Sequence, residues 1–98
     1  MSITFFHGEH EANFANANAF ALMRTLGIEP DYCGEIVGHE LASRCLREIN
    51  RATQRHTRPT EVGHNFIDFG LDAEGIVRRL TALAEIGRAA GNEKVNWG

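Results

Sequence analysis

Residues 38–58 read GHELASRCLREINRATQRHTR, and two interleaved patterns in this stretch dictate a helix. Leu41, Ala42, Cys45, Leu46, Ile49, Ala52 and Thr53 recur at steps that keep side chains on one side of an α-helix, the mark of a face laid against a core. Arg44, Arg47, Arg51, Arg55 and Arg58 recur at steps of three and four on roughly the other side. Half of the chain's ten Lys and Arg residues stand in that one row. Gly38 or His39 opens the helix. Arg58-Pro59 closes it, because a residue before proline is pushed out of helical geometry.

Downstream, Thr57 to His64 reads as a polar loop and Asn65-Phe66-Ile67-Asp68-Phe69 as a strand broken by Gly70. Asp72 then caps a longer helix whose core stripe is Ile76, Leu80, Leu83, Ala84, Gly87 and Ala90, with Val77 at its margin and Gly91 as its stop. Glu93 to Trp97 can form a last short strand. Upstream, Ile3-Thr4-Phe5-Phe6 is β-branched and aromatic, as strands are. His7-Gly8-Glu9-His10 can turn, and Glu11 to Phe14 can return as a second strand. Asn16 is the expected cap of a first helix through Phe20, Leu22, Met23 and Leu26. Gly27 ends that helix, and Pro30 forbids its continuation. Glu29 to Val37 reads as a connector. The sum is an α+β fold over residues 1–98, one domain of three helices with a small sheet of three or four short strands.

Composition agrees with an ordinary globular chain: 98 residues, 43% hydrophobic and 23% charged, enough for one modest core without metal or disulfide support. No apolar run is long enough to span a membrane. Met1 to His7 lacks the basic and apolar regions of a signal peptide. With two cysteines, Cys33 and Cys45, and no export signal, the sequence predicts a reducing, cytoplasmic setting. Charge is uneven. Residues 1–40 carry Glu9, Glu11, Glu29, Asp31, Glu35 and Glu40 against Arg24 alone, whereas residues 41–60 carry the five arginines against Glu48. The whole is acidic, with a formal net charge of −3. That disfavours non-specific nucleic-acid binding, which follows the local and total field. A basic stripe inside an acidic chain fits a specific anionic contact better.

The chain resembles short uncharacterised bacterial proteins, some from mobile elements, in Asn16-Ala17-Asn18-Ala19 running into Leu26-Gly27-Ile28, in Cys33-Gly34-Glu35-Ile36, and in the closing Val95-Asn96-Trp97-Gly98. The resemblance covers about the first third and the last helix with its tail, and it implies no activity, site residue or cofactor.

Three sets of residues invite a chemical reading. The arginine row suits carboxylate or phosphate, because the guanidinium fork donates two parallel hydrogen bonds. The plainer reading is a solvated helix face, with Glu40 and Glu48 placed to pair with Arg44 and Arg51. The row has no interleaved aromatics, which argues against stacking on a single strand of nucleic acid. The second set is His7, Glu9, His10 and Glu11, four candidate ligands for a divalent metal that His39, Cys33 or His64 could complete. On one continuous strand His7, Glu9 and Glu11 would share a face and His10 the other. The plainer reading is a hydrophilic hairpin tip, so no metal or cofactor is expected. The third is Ser43 with His39 four residues before it, a nucleophile and base without an acid to orient them. There is no glycine-rich phosphate loop.

Phe5 and Phe6 are neighbours on a strand and must point to opposite faces, so both are buried only if the sheet is covered on both sides or meets a second subunit. Phe66 and Phe69 raise the same question. The expected function is therefore a small binding module that contacts an acidic protein surface or associates with itself. Nucleic acid is the less favoured partner, and a metal-dependent enzyme built on the His7–Glu11 loop is the opposing reading.

Overall fold

The computed structural model describes residues 1–56 and 73–98, with side chains over 1–52 and 75–98. Its elements are β1 (Ser2–His7), β2 (His10–Ala15), α1 (Asn16–Thr25), β3 (Gly34–Val37), α2 (Gly38–His56), α3 (Ala73–Ala90) and β4 (Lys94–Trp97). Three helices and a four-stranded antiparallel sheet of order β2-β1-β4-β3 make an α+β fold. The expected strand at Asn65–Phe69 and the expected Asp72 cap lie outside the described residues.

The N-terminal hairpin turns on two residues, Gly8 and Glu9, with Gly8 at φ +58°. A positive φ at the first central position is the turn whose twist matches that of the flanking strands. Register runs without a bulge from Ser2 opposite Ala15 to His7 opposite His10. One face of the sheet is packed: Ile3, Phe5, Phe14, Val95 and Trp97 are buried, and the Phe5 ring lies between Phe14 at 6.0 Å and Trp97 at 5.5 Å. The other face is uncovered among the described residues. Phe6, opposite Glu11 and Asn96, is 40% exposed. Among the described residues the helices cover the sheet on one side, so Phe5 is buried in the core while Phe6 stays partly exposed.

Residues 34–37, expected within a connector, are instead a strand. Gly34 to Val37 pair with Trp97 back to Lys94. A side chain at Gly34 would collide with the Trp97 ring, so the bare backbone there is what lets the indole lie flat across the edge. The indole N–H donates to the Asp31 carbonyl at 3.1 Å. The start of α1 also differs from expectation. Ala15, not Asn16, is the cap residue, and it supplies no side-chain bond. The chain enters α1 directly from β2, and the Asn16 amide donates to the Met1 carbonyl at 3.3 Å. The Asn16 side-chain oxygen is left buried without a partner.

The helices α2 and α3 approach at Gly38 and Gly87. A Cβ on Gly87 would stand 2.6 Å from the Gly38 carbonyl oxygen and 2.9 Å from the Ala42 nitrogen, and a Cβ on Gly38 would meet the Gly87 carbonyl. Only hydrogen fits at either position. The expected stripe of α3 is buried as read, and Ile86 joins it. On α2, Leu41, Ala42, Cys45 and Ala52 are buried, but Leu46 is 38% exposed. Leu46 lies on the rim of the apolar sector, on the side away from the sector's centre.

Leu80 is 1% exposed, and truncating such a residue typically costs about 2–5 kcal/mol, through lost transfer energy and the cavity left behind. Leu80→Ala should lower the melting temperature by several degrees, whereas Ser43→Ala, at an exposed position of α2, should leave it nearly unchanged. Thermal denaturation followed by far-ultraviolet circular dichroism reads both; equal shifts would contradict the packing described.

Candidate functional site

The described part of the arginine row divides into two kinds of residue. Arg44 is structural. Its Nε and Nη2 donate to Glu40 Oε1 at 3.0 and 2.8 Å, and its Nη1 donates to the carbonyls of Leu26 and Gly27 at 3.0 and 3.2 Å. Those carbonyls belong to the end of α1. There the Ile28 amide donates to Met23 and the Gly27 amide to Arg24, with Gly27 at φ +74°. This is the Schellman arrangement, which ends a helix while leaving its last carbonyls in need of donors. Arg44 supplies those donors from another helix, placing a cation at the negative end of the α1 dipole. The sequence expectation placed Arg44 in a recognition row; its four hydrogen bonds here run to Glu40 and to the end of α1.

Arg47 and Arg51 differ. Their side chains are 60% and 54% exposed, and both flank Glu48, whose side chain is 7% exposed. Arg51 Nη1 donates to Glu48 Oε2 at 2.9 Å, and Arg47 Nε stands 3.9 Å from the same oxygen. A buried charge needs partners, and here one carboxylate holds two guanidinium groups at the surface. Sequence spacing placed Glu48 correctly as a partner of Arg51. It did not reveal that Glu48 is buried, because that depends on what packs over it. The side chain of Arg55 and all of Arg58 lie outside the described residues.

Beneath this face sits Cys45, fully buried, with its thiol pushed up to about 12, first by burial and then by the negative charge of Glu48. Such a thiol stays protonated at neutral pH and is no nucleophile. Cys33 is free and exposed. Ser43 and His39 are both exposed on α2, and no described carboxylate completes a triad with them.

The histidine-glutamate set is dispersed by the hairpin. The turn at Gly8 and Glu9 reverses the chain, so His7 stands opposite His10 and shares its face, while Glu11 stands opposite Phe6 on the other. The expectation that His7, Glu9 and Glu11 share a face held only for an unturned strand. His7 turns away from the tip: Nδ1 lies 3.3 Å from the Lys94 carbonyl and Nε2 3.4 Å from Glu93. Among the described residues no three His, Cys, Asp or Glu side chains converge in a way that could hold a metal ion. His64 lies outside them. Nor, among those residues, is any helix long and apolar enough to cross a membrane. No family model, curated protein or solved structure matches the chain.

Two outcomes follow from this geometry. Arg44→Ala removes charge-assisted bonds to Glu40 and to the end of α1, and should cost about 1–3 kcal/mol in urea unfolding, whereas Arg47→Ala should cost less than about 0.5. Similar losses in both would show that the α1 clamp contributes nothing. A chelator should leave thermal unfolding unchanged, because among the described residues no cluster of His, Cys, Asp or Glu is placed to tie a metal to the fold. A chelator-sensitive transition that vanishes in His7→Ala would reinstate the metal reading.

Proposed function

We propose that the chain is a small interaction module working in a reducing, cytoplasmic setting, and that the outer flank of α2 is the face it offers to carboxylates on a partner protein. The observation that carries this reading is the shared carboxylate: Glu48 lies between Arg47 and Arg51, both more than half exposed. One buried negative charge facing two exposed positive ones leaves a surplus of positive charge at the surface of an acidic chain. It also limits the rotamers of the two guanidinium groups before a partner arrives, which lowers the entropic cost of binding. Arg44 takes no part, being committed to α1 and Glu40. Free thiols at Cys33 and Cys45 support the reducing compartment.

The test is charge reversal. Arg47→Glu with Arg51→Glu should abolish binding to an acidic partner, and wild-type binding should weaken as salt rises, since exposed charges are screened over about 8–10 Å at physiological strength. Because the reversal also takes away the donors beside Glu48, Arg47→Gln with Arg51→Gln, which removes the charge but keeps amide donors there, should lose binding as well while circular dichroism shows the fold intact. A partner that binds the double variant as tightly as wild type at every salt concentration would reduce the arginines to solubilising groups on a helix.

A further inference from the structure

A second surface lies on the far side of the sheet from β3, and its features are independent of the arginine row. Among the described residues β2 is the terminal strand of the sheet, six residues long. In a two-residue hairpin the pair flanking the turn exchanges hydrogen bonds, and bonded and non-bonded pairs then alternate. Here the bonded pairs are His7 with His10, Phe5 with Ala12, and Ile3 with Phe14. The reciprocal bonds of Thr4 with Gly98, at 3.0 and 3.1 Å on the opposite side of β1, fix the same phase. Glu11, Asn13 and Ala15 therefore turn their amides away from β1 toward the open edge, as do the carbonyls of Glu11 and Asn13.

Natural edges are usually blunted by proline, lysine, a bulge or shortness. Between His10 and Ala15 there is no proline, no lysine and no bulge, and the one acidic charge, Glu11, pairs with Phe6 on the outer face of the sheet, away from α3. Beside the edge runs an open groove of about 570 Å³ lined by Ala12, Asn13 and Phe14 of β2 and by Arg78, Arg79 and Ala82 of α3, within the range of about 300–1,000 Å³ usual for binding clefts. Its lining carries two cations and no carboxylate. Arg79 spends one N–H on the Gly75 carbonyl at 3.2 Å, and Arg78 projects into solvent.

We infer that the edge of β2, unpaired among the described residues, receives an extended acidic segment of a partner protein, which adds to the sheet as a further strand and turns carboxylates toward Arg78 and Arg79. Main-chain hydrogen bonds to Glu11, Asn13 and Ala15 supply affinity, and the arginines supply the preference for acidic side chains, as in other cases of strand addition. Ala82, small and half-buried, leaves room for a side chain between the new strand and α3. A second copy of this chain fits less well: pairing β2 with itself about Asn13 would bring the Arg78 and Arg79 of both copies together.

The experiment is amide hydrogen exchange by NMR on the full chain, with blocked peptides of about eight alternating residues, valine with glutamate or valine with lysine. The amides of Glu11, Asn13 and Ala15 should exchange rapidly in the free protein and slow on addition of the glutamate peptide but not the lysine peptide. Arg78→Glu with Arg79→Glu should weaken that peptide about tenfold or more, while Arg47→Gln with Arg51→Gln should not affect it. Asn13→Pro removes the central donor and should abolish binding; Asn13→Ala, which keeps the amide but also loses the side-chain bonds to Ser2 and Thr4, should retain it. Equal protection by both peptides would overturn the inference. So would protection already present in the free protein, which would mean the edge is covered from within, or protection that grows with protein concentration, which would make a second copy the occupant.

Discussion

The contact between Gly38 and Gly87 sets where the two long helices lie, and the strands at their ends inherit that position. β3 runs into α2 at Gly38 without a spacer, and α3 turns into β4 within three residues. Where the helices cross, the Gly38 amide donates to the Glu93 carbonyl at 2.8 Å and the His39 amide to the Gly91 carbonyl at 2.9 Å. These bonds satisfy orphan donors at the start of α2 with carbonyls from the turn that ends α3, where a side-chain cap would otherwise be needed. The same crossing brings β3 beside β4, and there Gly34 leaves room for Trp97. A side chain at either crossing glycine would force the helices apart and move both strands with them.

Fixing α2 in this way also divides its charges. The flank turned toward α1 brings Arg44 within reach of Leu26 and Gly27, so the end of one helix is held by a side chain of another. Further along the helix, Arg47 and Arg51 are more than half exposed. Their partner Glu48 is buried, so the pair differs from ordinary surface ion pairs, whose median contribution is near zero because two long exposed side chains must be ordered. A buried carboxylate loses its hydration whether or not it is paired, and its arginines are correspondingly constrained.

The sheet is similarly one-sided. Its packed face is closed by α1, α2 and α3, while its outer face carries Phe6 at 40% exposure, a Glu35–Lys94 pair at 2.9 Å and the Asn13 bonds to Ser2 and Thr4. Small polar ladders of this kind suit a solvated antiparallel surface. Among the described residues, Arg47 with Arg51 on α2 and Arg78 with Arg79 on α3 gather positive charge on two helix flanks.

Periodicity alone determined the helices α2 and α3, because an amphipathic stripe of that length has one way to bury itself. It named Ile76, Leu80, Leu83, Ala84, Gly87 and Ala90 as the inner face of α3, and all are buried. The hairpin was legible in the same way, from β-branched and aromatic residues around Gly8, and so was the stop of α1 at Gly27. What the sequence could not supply were features defined by distant neighbours. Gly34 to Val37 is too short and too glycine-containing to read as a strand, and it becomes one only because β4 offers a ladder. Asn16 looks like a cap, yet the chain reaches α1 straight from β2, where Met1 takes its amide. The arginines form a single row in sequence. Tertiary packing alone decided that Arg44 closes α1 while Arg47 and Arg51 stand over a buried Glu48, because helical spacing fixes which residues share a row but not what lies opposite each of them.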